Sequence, residues 1–194
     1  MLFRSIGTGI GAGLLLHGEL YRGAHGVAPE LGHLRLVPGG RVCSCGGQGC
    51  WERYCSGTAL AATAIDLLTH EPAQSSRLAK EATEDPASIT GRRVAAAARE
   101  GDALARAATG QLAWWLGEGL ALVADVYDPE LVVIAGGVSD SASLFLEPAR
   151  QRYAEAITGM GNRRLARVRT TRLGADGALI GAATLAAEEA QSGR

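Results

Sequence analysis

Glu30-Leu31-Gly32-His33 and, nine residues on, Cys43-Ser44-Cys45-Gly46-Gly47-Gln48-Gly49-Cys50-Trp51-Glu52 form the stretch whose reading decides what this chain is. One imidazole and three thiols lie there between two carboxylates. His33, Cys43, Cys45 and Cys50 make up the donor set of a closed tetrahedral zinc site, and closed sites serve structure rather than catalysis. Glycines at 46, 47 and 49 let the backbone turn tightly enough for three sulfurs to face one ion. Such an ion would fix a loop with a carboxylate at each end, which suits gripping a polyhydroxylated ligand. Disulfides are the competing reading of clustered cysteines. Cys43 and Cys45 stand one residue apart, however, and a bridge between them is strained. The first residues do not read as a cationic-then-apolar leader, and no apolar run is long enough to span a bilayer. These features favour zinc, reduced thiols and a cytoplasmic setting. Cys55, past the loop at the start of a helix, reads as a small buried thiol.

Composition sets wider bounds. The chain has 194 residues, 47% of them hydrophobic, with a net charge of −1 and few aromatics. It can bury a core and reads as one domain, or one and a fraction. A neutral balance gives no support to a nucleic-acid or membrane surface as its main business.

Working outward from the cysteine loop, the pattern alternates. Leu14-Leu15-Leu16, His17-Gly18 and Glu19-Leu20-Tyr21 read as a hairpin with a tight turn. The alternation from His33 to Val37 predicts a strand entering the loop. Ser56-Gly57-Thr58 caps an Ala- and Leu-rich helix to about His70, and residues 71 to 89 look like a loop. A second helix starts near Thr90, and a third runs from Asp102 to about Val126, ended by Asp128-Pro129. Leu131 to Ala135 is a wholly apolar, β-branched run of the kind buried in parallel sheets. A helix to about Ile157, a strand from Leu165 to Leu173 and a helix from Asp176 follow. Helices alternating with strands make the fold class α/β.

Two glycine-rich segments stand out. Gly7-Thr8-Gly9-Ile10-Gly11 lies between strand-like segments, and its amides and the Thr8 hydroxyl can donate to phosphate. A strand rather than a helix follows it, so it is not the dinucleotide fingerprint; a plain tight turn stays open. Gly136-Gly137-Val138-Ser139 lies past the carboxyl end of a buried strand, where α/β sheets place ligands. An ordinary strand-to-helix turn is the alternative there.

Together the segments resemble the ROK family of sugar kinases and repressors, and within it the actinobacterial glucokinases. The matching stretches are Gly7 to Gly11, Gly23-Ala-His-Gly26-Val-Ala-Pro-Glu30-Leu-Gly32-His33, and the cysteine segment through Ser56-Gly57. Trp115-Leu-Gly117-x-Gly119-Leu120, Asp128-Pro129-Glu130, Ile134-x-Gly136-Gly137-Val138-Ser139, Leu173-Gly174 and Ile180-Gly181-Ala182-Ala183 extend the match over nearly the whole chain.

The resemblance implies an actin-like ATPase (ribonuclease H-like) fold and ATP-dependent phosphorylation of glucose at its 6-hydroxyl, a glycolytic step, with ATP and Mg²⁺. By the same resemblance Glu30, His33 and Glu52 bind sugar hydroxyls, and one ring nitrogen of His33 joins Cys43, Cys45 and Cys50 on a structural zinc ion. Two solvated surface charges are the plain alternative for Glu30 and Glu52. Gly7, Thr8, Gly9 and Gly11 face the ATP phosphates, and Gly136, Gly137 and Val138 lie against the adenosine. The family's Asp-x-Gly-Gly-Thr hairpin and the Asn-Asp pair holding its general base are not found in these residues. Residues 1–5 read as a poor version of the apolar strand expected before the glycine hairpin.

The chain is therefore expected to be the C-terminal part of a kinase, with no catalytic residue of its own. Residues 1–32 would hold the glycine hairpin and sugar strand region, 33–55 the zinc loop, and 56–194 the helical, nucleotide-binding part. Expected partners are glucose or a related hexose and ATP, without nucleic acid or membrane, in a homo-oligomer when full length. The sugar-sensing domain of a ROK repressor is the alternative.

Overall fold

The computed structural model describes residues 2–70 and 76–192. Five strands form one sheet in the order β3-β2-β1-β4-β5: β1 (Leu2–Ile6), β2 (Ile10–Leu16), β3 (Glu19–Tyr21), β4 (Leu131–Ala135) and β5 (Arg167–Thr170). β2 runs antiparallel to both β1 and β3, whereas β4 runs parallel to β1 and β5. The turn between β2 and β3 uses His17 (φ 53°) and Gly18 (φ 89°). Two consecutive positive φ values match the twist of a two-residue hairpin.

The opening residues depart from expectation. Leu2–Ile6 is the central strand, paired on both sides from Leu2↔Leu14 and Leu2↔Val132 onward. Backbone pairing to two neighbours satisfies every ladder group and outweighs an unremarkable side-chain pattern.

Among the described residues six α-helices follow: α1 (Gly57–His70), α2 (Arg77–Glu84), α3 (Gly91–Arg99), α4 (Ala103–Tyr127), α5 (Leu146–Ala156) and α6 (Gly177–Ser192). α4 is central and packs against α1, α3 and α5. It buries Ala105, Ala108, Leu112, Leu116, Leu120 and Val123 at helical spacing. Its first turn is held by Asp102, whose carboxylate accepts from the Ala105 amide at 3.0 Å. The same carboxylate accepts from the Leu78 amide at 3.1 Å and from the Ser76 hydroxyl at 2.8 Å. Ser76 in turn caps α2 by accepting from the Ala79 amide. One aspartate thus serves two helix starts.

Three expected elements are revised. The His33–Val37 strand is absent: Leu31–His33 is a 3₁₀ turn, and Arg35 only bridges Cys50. Its alternation arises because Leu34 and Leu36 pack on the core from a loop held by Gly49 and Trp51. The stretch expected to be loop contains α2, an amphipathic helix short enough to be masked by its polar neighbours; 71–75 of that stretch lie outside the described residues. β5 is four residues, shorter than the run from Leu165 to Leu173. Cys55 is fully buried in the core, as expected.

Candidate functional site

The cluster of His33, Cys43, Cys45 and Cys50 is built by short-range turns. His33 closes the 3₁₀ turn, and the Gly46 amide donates to the Cys43 carbonyl at 3.1 Å. Gly46 (φ 86°) and Gly49 (φ 78°) both adopt left-handed backbone, and a side chain on Gly49 would overlap Val37. The donor atoms of His33, Cys43, Cys45 and Cys50 all lie within 4.8 Å of one another. Cys43 Sγ is 3.6 Å from His33 Nδ1, and Cys45 Sγ is 3.6 Å from Cys50 Sγ. Metal–sulfur bonds of about 2.3 Å and metal–nitrogen bonds of about 2.0 Å in a tetrahedron require edges of about this length. Cys43, Cys45 and Cys50 form no disulfide. The four donors therefore fit a divalent ion.

Burial pushes the Cys50 thiol up to about 12, while the Gly47 amide and the neighbouring thiols lower Cys45. Sulfur ligates as thiolate, so a metal held here would require the Cys50 proton to leave.

The two carboxylates converge on this cluster. Glu52 Oε1 accepts from Cys43 Sγ at 3.1 Å, and Glu52 Oε2 accepts from the Ile10 amide at 3.3 Å. The Glu52 side chain is only 15% exposed. Glu30 Oε2 lies 3.8 Å from His33 Nε2, and its side chain is 66% exposed. His33 thus turns Nδ1 to the sulfurs and Nε2 to Glu30. Glu30, His33 and Glu52 lie close together.

Trp51 docks this loop onto α4. Its indole is fully buried and donates from Nε1 to the Trp115 carbonyl at 2.8 Å. Gly119 makes room, since a Cβ there would overlap the ring. Arg41 adds a second clamp that sequence reading missed. It donates to the Arg53 carbonyl at 2.7 Å, the Thr63 hydroxyl at 3.0 Å and Asp66 at 2.6 Å, with its guanidinium over the Tyr54 ring. An arginine inside a loop carries no spacing signal for a partner on a later helix.

The glycine segments meet at a cavity of about 720 Å³. The Val138 amide donates to the Ile6 carbonyl at 3.1 Å, and the Gly57 amide donates to the Gly7 carbonyl at 2.8 Å. These bonds bring the loop after β4 and the start of α1 beside the hairpin that joins β1 to β2. Gly7, Thr8, Gly137 and Val138 line the cavity. Gly9, Gly11 and Gly136 do not. Gly9 faces Glu52, Gly11 pairs with Ser5 in the sheet, and Gly136 (φ 86°) shapes the turn by accepting from Ser139.

Unforeseen in the sequence are the helix starts Gly57-Thr58 and Gly91-Arg92, which also line the cavity. A Cβ on Gly91 would overlap the Gly57 carbonyl, so the two starts touch. Each presents the positive end of a helix, with the Ala59 and Arg93 amides capped by Ser56 and Thr90. A glycine just inside each cap, after Ser56 and after Thr90, was the available signal. Leu112, Leu144 and Phe145 supply an apolar region of the same cavity.

A model of the ROK family matches residues 1–189. The chain is 40% identical over 184 residues to a glucokinase of Streptomyces coelicolor, covering 95% of this chain and 58% of that protein. It is 34% identical over 151 residues to a xylose repressor of Caldicellulosiruptor bescii, covering 78% of this chain and 37% of that one. Its structure superposes with a TM-score of 0.87 on the crystal structure of a ROK family glucokinase from Streptomyces griseus in complex with glucose and AMPPNP. Identity there is 39%, with 95% of this chain and 59% of that chain covered. The chain thus spans somewhat under three-fifths of these glucokinases and shares their actin-like ATPase fold. With matched residues running from one end of the sheet to α6, the chain belongs to the ROK family.

Proposed function

We propose that this chain carries the sugar site and much of the nucleotide site of an ATP-dependent kinase that phosphorylates glucose at its 6-hydroxyl. The observation that carries the reading is the hairpin between β1 and β2. Gly7 and Thr8 on one side line the cavity, and the Ile10 amide on the other donates to Glu52. Sugar and nucleotide would meet across a few residues of backbone, the proximity that phosphoryl transfer depends on.

In this reading Glu30, His33 Nε2 and Glu52 hold sugar hydroxyls. His33 Nδ1, Cys43, Cys45 and Cys50 hold zinc, which when bound supplies rigidity to the loop carrying Glu52. ATP phosphates lie along Gly7 and Thr8, with Gly9 and Gly11 shaping the hairpin, and adenosine lies against Gly137 and Val138, with Gly136 shaping the turn before them. Mg²⁺ enters with the nucleotide. The glucose and AMPPNP of the Streptomyces griseus relative support both ligand classes.

The proton of the attacking hydroxyl goes to an aspartate, and the family resemblance assigns that aspartate to a part of the relatives this chain does not span. The 194 residues are therefore expected to bind both ligands and to phosphorylate glucose negligibly. Loss of such a base alone costs about 10²–10⁴-fold.

Calorimetric titration of glucose into the zinc-loaded chain tests the reading. Saturable binding is expected, weakened by about 10- to 100-fold in Glu52→Gln and Glu30→Gln, the worth of a hydrogen bond to a charged group. No saturable binding would overturn it. The similarity to a xylose repressor supports a second reading, a sugar-sensing domain of a regulator. Preference for xylose over glucose, with no binding of ADP, would favour that one.

A further inference from the structure

Two arginines line the cavity, and the structure gives them different work. Arg99, at the end of α3, spans to the opposite wall, donating to the Asp140 carbonyl at 3.1 Å and the Ser141 hydroxyl at 2.7 Å. Arg92, at the start of the same helix, is exposed, and among the described residues its side chain makes no hydrogen bond or ion pair. The next residue contrasts with it: Arg93 points the other way and pairs with Glu81 through two hydrogen bonds, at 2.7 and 2.6 Å.

The surroundings of Arg92 are the polar corner of the cavity. Gly7 and Thr8 lie there, with the starts of α1 and α3 in contact through Gly57 and Gly91. Helix starts favour negative charge. Asp140, the carboxylate among the lining residues, sits on the Arg99 side, next to the apolar Leu144 and Phe145. The cavity thus offers a guanidinium at the touching helix starts, beside Gly7 and Thr8, together with apolar side chains such as Leu60, Ile89, Leu144 and Phe145. A nucleotide brings both kinds of group, phosphates and a flat base.

We propose that Arg92 is a phosphate-binding residue of this cavity, pairing with the terminal phosphate oxygens of a bound nucleotide. The inference rests on reading the cavity as the nucleotide site. A guanidinium suits the task because its planar donors match phosphate oxygens two at a time.

Titrations of ADP and of adenosine into the zinc-loaded chain and into Arg92→Ala, Arg92→Lys and Arg99→Ala decide the matter. Arg92→Ala is expected to weaken ADP by about tenfold or more and to leave adenosine within about twofold. Arg92→Lys should keep part of the ADP affinity. Added salt should weaken ADP more in the parent chain than in Arg92→Ala. Arg92 is exposed, so its variants should keep the parent thermal midpoint. Arg99→Ala should weaken both ligands alike, because it loosens a wall. An unchanged ADP affinity in Arg92→Ala, an equal loss for both ligands there, or an ADP-selective loss confined to Arg99→Ala would each overturn the assignment. A parent chain that binds neither ligand would instead overturn the nucleotide reading of the cavity, and the role of Arg92 with it.

Discussion

The two oxygens of the Glu52 carboxylate face different parts of the molecule. Oε1 lies against the Cys43 sulfur and Oε2 against the Ile10 amide. A side chain on Gly9 would reach that second oxygen, the flexible end of Glu52. Gly9→Ala should therefore swing the carboxylate away at little cost to the fold. Glucose affinity should fall by about tenfold or more while ADP affinity holds, as paired calorimetric titrations would read. Gly119 is the opposite case. A Cβ there meets a rigid, fully buried indole that cannot step aside. Gly119→Ala should cost about 1–3 kcal/mol, the range for overpacking, seen as a lower urea midpoint. An unchanged midpoint would mean that Trp51 has room the structure denies it.

At the scale of elements, Asp102 joins the starts of α2 and α4. Burial pushes its carboxyl up. Bonds from the Ala105 and Leu78 amides and the Ser76 hydroxyl outweigh that and hold it below the ordinary carboxylate range. A folded value below the unfolded one of about 3.9 makes its contribution complete above that pH. The contribution is lost as pH falls through the folded value. Asp102→Ala should lower stability by about 1 kcal/mol at neutral pH and flatten the acid limb of the stability curve. An acid limb identical to that of the parent chain would contradict this.

The same scale shows what the sequence disclosed. α1, α3 and α4 were legible because the caps Ser56, Thr90 and Asp102 precede apolar-rich runs, and β4 was legible from its wholly apolar, β-branched sequence. The strand expected from His33 was not, because the alternation of Leu34 and Leu36 serves core packing from a loop. The convergence of His33, Cys43, Cys45 and Cys50 was legible from four donors at short spacing. The second wall of the cavity was hidden, since Gly57 and Gly91 are distant in sequence and meet only through helix packing.

At the scale of the whole molecule, one core cluster runs from Ile6 to Val168 and includes Trp51 from the metal loop. Among the described residues no helix is long and apolar enough to cross a membrane. Treating the zinc-loaded chain with a chelator should loosen the cysteine loop first. The thermal midpoint should drop by ~10 °C, the equivalent of about 3 kcal/mol in a domain this size, and glucose binding should vanish. ADP binding should stay within about threefold, because the cavity is walled by α1, α3 and the loop after β4. Equal loss of both ligands would show that the loop supports the cavity as well.

α6 presents Leu179, 72% exposed, together with exposed Ile180 and Leu185. Apolar surface of this kind favours association. Leu179→Glu should raise solubility without moving the thermal midpoint.

The backbone amides of residues 7–10 report most directly on whether sugar and nucleotide sites share the hairpin. In ¹⁵N-correlated NMR spectra of the zinc-loaded chain, ADP should move the signals of Gly7, Thr8, Gly137 and Val138. Glucose should move those of Gly9, Ile10 and Glu52. Ligand shifts that leave the hairpin untouched, or that fall on the same side of it for both ligands, would contradict the arrangement proposed for the two sites.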